Sequence, residues 1–258
     1  IVTGSHLSRN HGLTYKEIES DGIAISKKID LKIQGDSAEE IANYMSLALK
    51  GFAKVFSFLK PDLVVVLGDR YEIFSAVSAA MVANIPIGHL HGGETTEGAF
   101  DESIRHSITK MSHLHFVANE RYRTRVIQLG EQPQKVFNVG GLGVDSIDRI
   151  KLLSKSELED VIQFKFGKKN ILVTFHPVTL ERHTAEQQFS ELLKSIDRVP
   201  GINIILTKAN SDPGGKIINS MIDEFSSTHD NAISFTSMGQ LNYLSALQFV
   251  DAVVGNSS

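Results

Sequence analysis

His91-Gly92-Gly93-Glu94 and, a few residues on, Asp101-Glu102-Ser103-Ile104-Arg105-His106 concentrate titratable side chains more than any other part of this chain. Together they supply two histidines, three carboxylates, one arginine and a glycine pair. Such a set suits acid–base chemistry on a small molecule, one carboxyl group removing a proton while another returns one. Carboxylates crowded into a cleft shift one another's pKa, so that neighbours take opposite protonation states. Gly68-Asp69-Arg70 forms a second acidic–basic cluster. Each motif also has a plainer reading. Asp69 can cap a helix, Glu94 can be a solvated loop residue, and Asp101 and Arg105 can form a surface pair one helical turn apart.

Both clusters follow apolar runs. Asp62–Leu67, bounded by Pro61 and Gly68, reads as a central parallel strand, and Ile85–Leu90 as a buried one. Ligands of open parallel sheets bind beyond the carboxyl ends of the strands, so Asp69, Glu94 and Asp101 are expected at one sheet edge. Further strands are predicted at Leu114–Val117, Val136–Val139, Ile171–Phe175, Ile202–Leu206, Ala232–Phe235 and Ala252–Val254. Helices are predicted at Ser37–Leu59, which opens with a capping box from Ser37 to Glu40, and at Tyr71–Val82, Asp101–Met111, Glu120–Leu129, Glu186–Arg198, Gly214–Phe225 and Met238–Phe249. The alternation predicts an α/β protein with parallel sheets. A seam near 150–169 divides it into two α/β halves about a cleft, residues 1–160 carrying the carboxylates and 161–258 forming the second half.

In that second half, Phe175-His176-Pro177 holds His176 extended at a strand end. The Thr207–Gly215 loop, with Asn210 in it, and Gly255-Asn256-Ser257-Ser258 are turns whose backbone N–H groups suit a phosphate. A polar loop with an N-cap at Asp212 is the plainer alternative for the first of these. His89 and His91, two apart on a strand, point the same way and raise a metal reading, against a core role for His89. His6, His11, His113, His115, His183 and His229 show no partner pattern.

Composition bounds the rest. The chain has 258 residues, 41% hydrophobic and 22% charged, with net charge −4, so no electrostatic footprint for nucleic acid is present. There are no cysteines, which removes disulfides and thiolate metal sites and fits a cytoplasmic protein. No apolar run approaches a membrane span, and Ile1–His6 lacks the form of a signal peptide. Both termini read as cut, at a strand-to-loop transition on each side, and native sequence is expected beyond them.

With these residues in hand, the chain resembles the hydrolysing UDP-N-acetylglucosamine 2-epimerases, which make N-acetylmannosamine for sialic acid synthesis. The matching elements are Thr3–Ser8, Gly68-Asp69-Arg70, His91-Gly92-Gly93-Glu94, Asp101–His106, Phe175-His176-Pro177, the Asn210 loop and Gly255–Ser258, in the family's order along essentially the whole chain. The non-hydrolysing relatives carry a His-Val-Glu-Ala-Gly-Leu-Arg type element where this chain has His-Gly-Gly-Glu. The resemblance implies a GT-B architecture of two Rossmann-like domains, a UDP-sugar substrate and a homodimer or homotetramer; histidine, arginine and helix N-termini can stabilise the departing charge, so no cofactor or metal is expected. It implies acid–base roles for Asp69, Glu94 and Asp101, and a role for His176 in stabilising the departing diphosphate. It also implies ligand roles for Arg70, His91, Arg105, Asn210, Ser257 and Ser258. By the same resemblance, a nucleotide-sugar loop lies before Ile1, and a ribose-contacting glutamate and a closing arginine lie after Ser258. The substrate is expected to be UDP-N-acetylglucosamine or a UDP-2,4-diacetamido-trideoxyhexose. A GT-B glycosyltransferase, a metal-dependent hydrolase using His89 and His91, and a catalytically silent UDP-sugar sensor remain alternatives.

Overall fold

The computed structural model describes residues 1–178, 180–181 and 184–256, without the side chains of 145, 146 and 148. In chain order the elements begin with β1 (Val2–Thr3), α1 (Tyr15–Ser20), β2 (Lys28–Ile29), α2 (Ala38–Leu59), β3 (Val64–Leu67), α3 (Tyr71–Val82), β4 (Ile87–Leu90) and α4 (Asp101–Met111). They continue with β5 (Leu114–Val117), α5 (Glu120–Gln128), β6 (Val136–Asn138), α6 (Leu142–Arg149) and α7 (Lys155–Ile162). The remainder is β7 (Lys169–Thr174), α8 (Ala185–Asp197), β8 (Ile202–Thr207), α9 (Gly215–Thr228), β9 (Ala232–Phe235), α10 (Gly239–Ala246) and β10 (Ala252–Gly255). All strand pairs are parallel, as the alternation of short apolar runs with amphipathic helices requires. The fold class is α/β, as expected.

The chain forms two compact units. The first comprises Ile1–Leu7, Ala24–Ile33 and Ser37–Asp148; the second comprises Ser8–Ile23, Gln34–Asp36 and Arg149–Ser258. Beside the sequence boundary at 160/161, the second unit thus starts earlier and gathers two upstream segments. The reason for the earlier start is α7. Its Leu158 and Ile162 pack with Phe166, Leu172 and Ile205, all second-unit residues. Its start is fixed by the Ser154–Glu157 capping box.

In the first unit the sheet order is β3-β4-β5-β6, with β1 and β2 paired separately. Ile41, Tyr44, Ala48, Phe52 and Phe56 of α2 form one apolar stripe, which packs with Ala76, Val77 and Ala80 of α3 over Val66 and Ile87. The Ser37 side chain caps α2 and Glu40 reaches back, as the spacing predicts. One expectation is corrected: β3 is an edge strand of its sheet, not a central one. Its alternate residues Val65 and Leu67 are more than half exposed, because this unit's core covers only the Val64–Val66 side.

In the second unit the order is β10-β7-β8-β9. Phe189 of α8 is fully buried against Ile171, Ile204, Leu206 and Ile218, and the tilted Phe175 ring packs on it with centroids 5.2 Å apart. The close pairing of β10 with β7 depends on Gly255, where a Cβ would fall 1.9 Å from the Thr174 carbonyl oxygen. Gly255→Ala is therefore expected to lower the unfolding free energy by about 2–3 kcal/mol or more in urea titrations. Gly143→Ala, with open space around it in α6, should be neutral or stabilising by up to about 1 kcal/mol. Equal effects from the two substitutions would contradict this packing.

Candidate active site

Two loops, at the carboxyl ends of β3 and β4, and the start of α4 build the first-unit site. β3 ends at Gly68 (φ 78°), which turns the chain and presents Asp69. Asp69 does not cap α3. The N-cap is Arg70, without a side-chain cap bond, and Asp69 Oδ2 accepts from Arg105 Nη2. Arg105 rises from the second turn of α4 with a side chain only 8% exposed. Its Nη1 also reaches Glu94 Oε2 at 3.5 Å, and its Nη2 donates to Thr96 Oγ1 at 3.3 Å. His91 Nδ1 lies 2.7 Å from the other oxygen of Glu94. Asp69, Glu94, Arg105 and His91 therefore form one connected cluster. Arg105 is no surface partner of the preceding turn.

Asp101 opens α4, one turn before Arg105. The adjacent Glu102 has a different task. Its Oε2 accepts from the Thr96 backbone N–H at 3.2 Å and its Oε1 lies 3.6 Å from His106 Nε2, so it ties the 94–96 loop to α4. Arg70 turns toward Glu72, with Nε to Oε2 at 3.3 Å, and stacks over Tyr71.

The His89–His91 pairing is corrected. β4 ends at Leu90 and His91 has φ 62°, so the strand's two-residue alternation does not extend to it. His89 is wholly buried. Its Nε2–H donates to the Gly68 carbonyl at 2.9 Å, which leaves Nδ1 as an acceptor 3.2 Å from the Thr109 hydroxyl. Two rings bound to different partners do not converge on a metal, and no cluster of three or more potential ligands occurs among the described residues. His115, across the β4–β5 pair, is also buried, and its Nε2 lies 3.2 Å from Glu131. Burial pushes its pKa down while Glu131 pulls it up.

In the second unit His176 follows β7, and its backbone is clamped. Its N–H donates to Asn256 Oδ1 at 2.8 Å and its carbonyl accepts from Asn256 Nδ2 at 2.7 Å. Asn210 Oδ1 accepts from the Asp212 N–H at 3.2 Å, an Asx turn. Asp212 is not the N-cap of α9; Gly214 is. The start of α9 is occupied by a residue with no local signal: Asp36 Oδ2 accepts from the N–H groups of Gly214 and Lys216 at 3.1 and 3.3 Å. The sequence reading offered this loop to a phosphate, but a carboxylate of the chain already satisfies those donors. A cavity of about 360 Å³ lies instead at the ends of β7 and β8, lined by Thr174, Thr207, Ser237, Gln240, Tyr243 and Glu17. Glu17 comes from α1, which the sequence reading did not identify. Ser257 and Ser258, assigned to nucleotide binding, and His183 lie outside the described residues. No helix among the described residues is long and apolar enough to cross a membrane.

Burial lowers the pKa of His89 from 6.5 to about 4, against the raising effect of its bond to Gly68. An imidazole that charges less readily folded than unfolded contributes stability above pH 6.5 that is lost as pH falls toward 4. Between pH 7.5 and 4.5 the loss from this group is on the order of 2–3 kcal/mol. Urea unfolding of the native protein should show it, and His89→Gln should flatten the pH dependence by that amount. Superimposable curves would remove His89 as the cause.

The comparisons with known proteins agree with this architecture. The family model for UDP-N-acetylglucosamine 2-epimerase matches residues 1–258. GDP/UDP-N,N'-diacetylbacillosamine 2-epimerase (hydrolyzing) from Campylobacter jejuni is 44% identical over all of this chain and 67% of its own length. Polysialic acid biosynthesis protein P7 from Escherichia coli is 41% identical over all of this chain and 66% of its own length. The chain thus spans about two thirds of the curated relatives it matches. The solved structure of UDP-GlcNAc 2-epimerase from Neisseria meningitidis bound to UDP-GlcNAc superposes with a TM-score of 0.74 at 18% identity, over 95% of this chain and 67% of that one, and so shares the fold. A family match across every residue, with relatives above 40% identity, places this chain in the UDP-N-acetylglucosamine 2-epimerase family.

Proposed function

We propose that the protein is a hydrolysing 2-epimerase of a UDP-linked 2-acetamido sugar, working in the cytoplasm as a homo-oligomer. The observation that supports this most directly is that Asp69 and Glu94, from separate loops, share the Arg105 guanidinium, with His91 against Glu94. Proton traffic at a sugar carbon needs this kind of constellation, two acid–base groups held a short distance apart.

In the first half-reaction a carboxylate takes the C2 proton. The C–H electron pair becomes the C1=C2 double bond, and the C1–O bond to UDP breaks, leaving a 2-acetamidoglucal. In the second, a carboxyl group on the opposite face protonates C2, the C1=C2 electron pair forming the new C–H bond. Water then adds its oxygen to the cationic C1 and gives up a proton to a carboxylate. The sum is UDP-sugar plus water giving UDP and the free sugar inverted at C2. A C2 proton is weakly acidic, so expulsion of UDP must be helped by charge placed where the diphosphate develops. Asp69, Glu94 and Asp101 take the proton-transfer roles, and His176 the stabilisation of the leaving diphosphate. Arg70, Asn210, Ser257 and Ser258 act as nucleotide ligands and Arg105 as a sugar-site residue, with His91 held against Glu94. The cavity beyond β7 and β8 has a volume suited to part of a nucleotide sugar and lies where such sheets bind ligands.

UDP-N-acetylglucosamine and a UDP-2,4-diacetamido-trideoxyhexose are the two substrates this reading allows. The 44% identical relative, named for diacetylbacillosamine, supports the second, and the 41% identical relative, named for polysialic acid biosynthesis, supports the first. Incubating the protein with each sugar in D₂O should release UDP from one of them and leave deuterium at C2 of the product. Glu94→Gln should lower kcat by about 100- to 10,000-fold. Turnover only with an added acceptor, with C2 hydrogen retained, would mark a glycosyltransferase instead. Full turnover by Glu94→Gln would remove Glu94 from the mechanism.

A further inference from the structure

Glu94 is held at both oxygens, loosely by Arg105 at 3.5 Å and closely by His91 Nδ1 at 2.7 Å. A carboxylate can only accept, so the His91 proton sits on Nδ1. The opposite nitrogen, Nε2, is buried and has no hydrogen-bond partner among the described residues. A protonated Nε2 would bury an unsatisfied donor on a cation, which costs far more than burying a lone pair. The surroundings therefore select one tautomer of the neutral ring.

The backbone selects its direction. His91 adopts φ 62°, a left-handed conformation unfavourable for a non-glycine residue, which the neighbouring packing must impose. Its N–H donates to the Phe116 carbonyl at 2.8 Å. Gly92 packs against His89 and Thr109, where a Cβ would lie 3.1 Å from each. Gly93 (φ 79°) abuts α5, where a Cβ would lie 2.5 Å from the Tyr122 carbonyl oxygen, and its own carbonyl accepts from Arg125. The segment 91–94 is thus wedged between β5, β4 and α5, and from that held backbone the imidazole meets Glu94.

We propose that His91 is a positioning residue for Glu94: a fixed Nδ1–H tautomer that aligns the acid–base carboxylate, rather than a ligand of the sugar. The proposal rests on the acid–base reading of Glu94. Rotation of that carboxylate out of line with C2 would slow proton transfer without weakening substrate binding. His91→Ala is therefore expected to lower kcat about 100-fold while KM stays within about 2-fold. His91→Asn tolerates the left-handed backbone and places an amide N–H near the Nδ1 position, so it should recover at least about ten-fold of that loss. A rise in KM alone, equal impairment of the two variants, or an unaltered His91→Ala enzyme would overturn the proposal. If His91→Ala does not fold, His91→Asn must by itself retain about a tenth of wild-type kcat or the proposal fails. Histidine ¹⁵N spectra of the uniformly labelled protein at pH 7, with the His91 signals assigned by their loss in His91→Asn, should show a protonated Nδ1 and a bare Nε2. An Nε2–H tautomer would overturn the proposal without reference to activity. Absence of UDP release by the wild type from either sugar would defeat the functional reading instead, while the spectrum would still decide the tautomer.

Discussion

A single guanidinium, Arg105, is the point on which the first-unit site turns. It is almost buried, and an unpaired cation at that depth would cost several kcal/mol. The cost is offset only if acceptors come to it, and they come from two loops far apart in sequence, at Asp69 and at Glu94. Each carboxylate in turn would be repelled by the other without the charge between them. The three groups therefore stabilise one arrangement together, and the loops beyond β3 and β4 are set with respect to α4 by that shared charge.

What keeps the loops able to deliver those acceptors is a layer of close backbone packing beneath them. His89 reaches from β4 to the Gly68 carbonyl, so the turn that presents Asp69 is pinned from below by a neutral imidazole. Gly92 lies directly on that imidazole and on Thr109, and Gly93 on α5. Gly93 is required by its positive φ and the Tyr122 carbonyl, while at Gly92 a Cβ would make His89 and Thr109 give by a few tenths of an ångström. The His-Gly-Gly-Glu element thus joins a tightly packed glycine pair to a His91–Glu94 contact. Its first and last residues touch each other, and the two between them allow the approach.

This division explains how far the sequence could be read. The helices were legible because their signals are local: the capping boxes at Ser37 and Ser154 and the apolar stripe of α2 sit within a few residues of what they determine. Asp69, Glu94 and Asp101 were expected together at one sheet edge because strands of a parallel sheet end on one side, which brings their loops together whatever lies between them in sequence. Their pairing was not. The turn spacing suggested Asp101 with Arg105, and nothing in the sequence says that Arg105 points instead to residues 36 and 11 positions away. The His89–His91 reading failed for a similar reason. Alternation along a strand holds only while the strand continues, and β4 stops at Leu90, before the left-handed residue.

The second unit carries the same lesson about anions. A helix start with free N–H groups attracts negative charge of any origin, and the chain's own carboxylate competes with a ligand on equal terms. At α9 the chain has won, since Asp36, remote in sequence, accepts from Gly214 and Lys216. Space at the carboxyl edge of that sheet is found instead beyond β7 and β8, where Thr174 and Thr207 face a cavity and a short helix from the start of the chain contributes Glu17. Beside it, Asn256 engages both the N–H and the carbonyl of His176 through one side-chain amide. The backbone of the residue assigned to the departing diphosphate is therefore held by the neighbouring strand end, independently of what its imidazole binds. Both units thus use one device: a side chain or tight glycine contact from the adjacent strand end fixes the backbone that presents the candidate site residue.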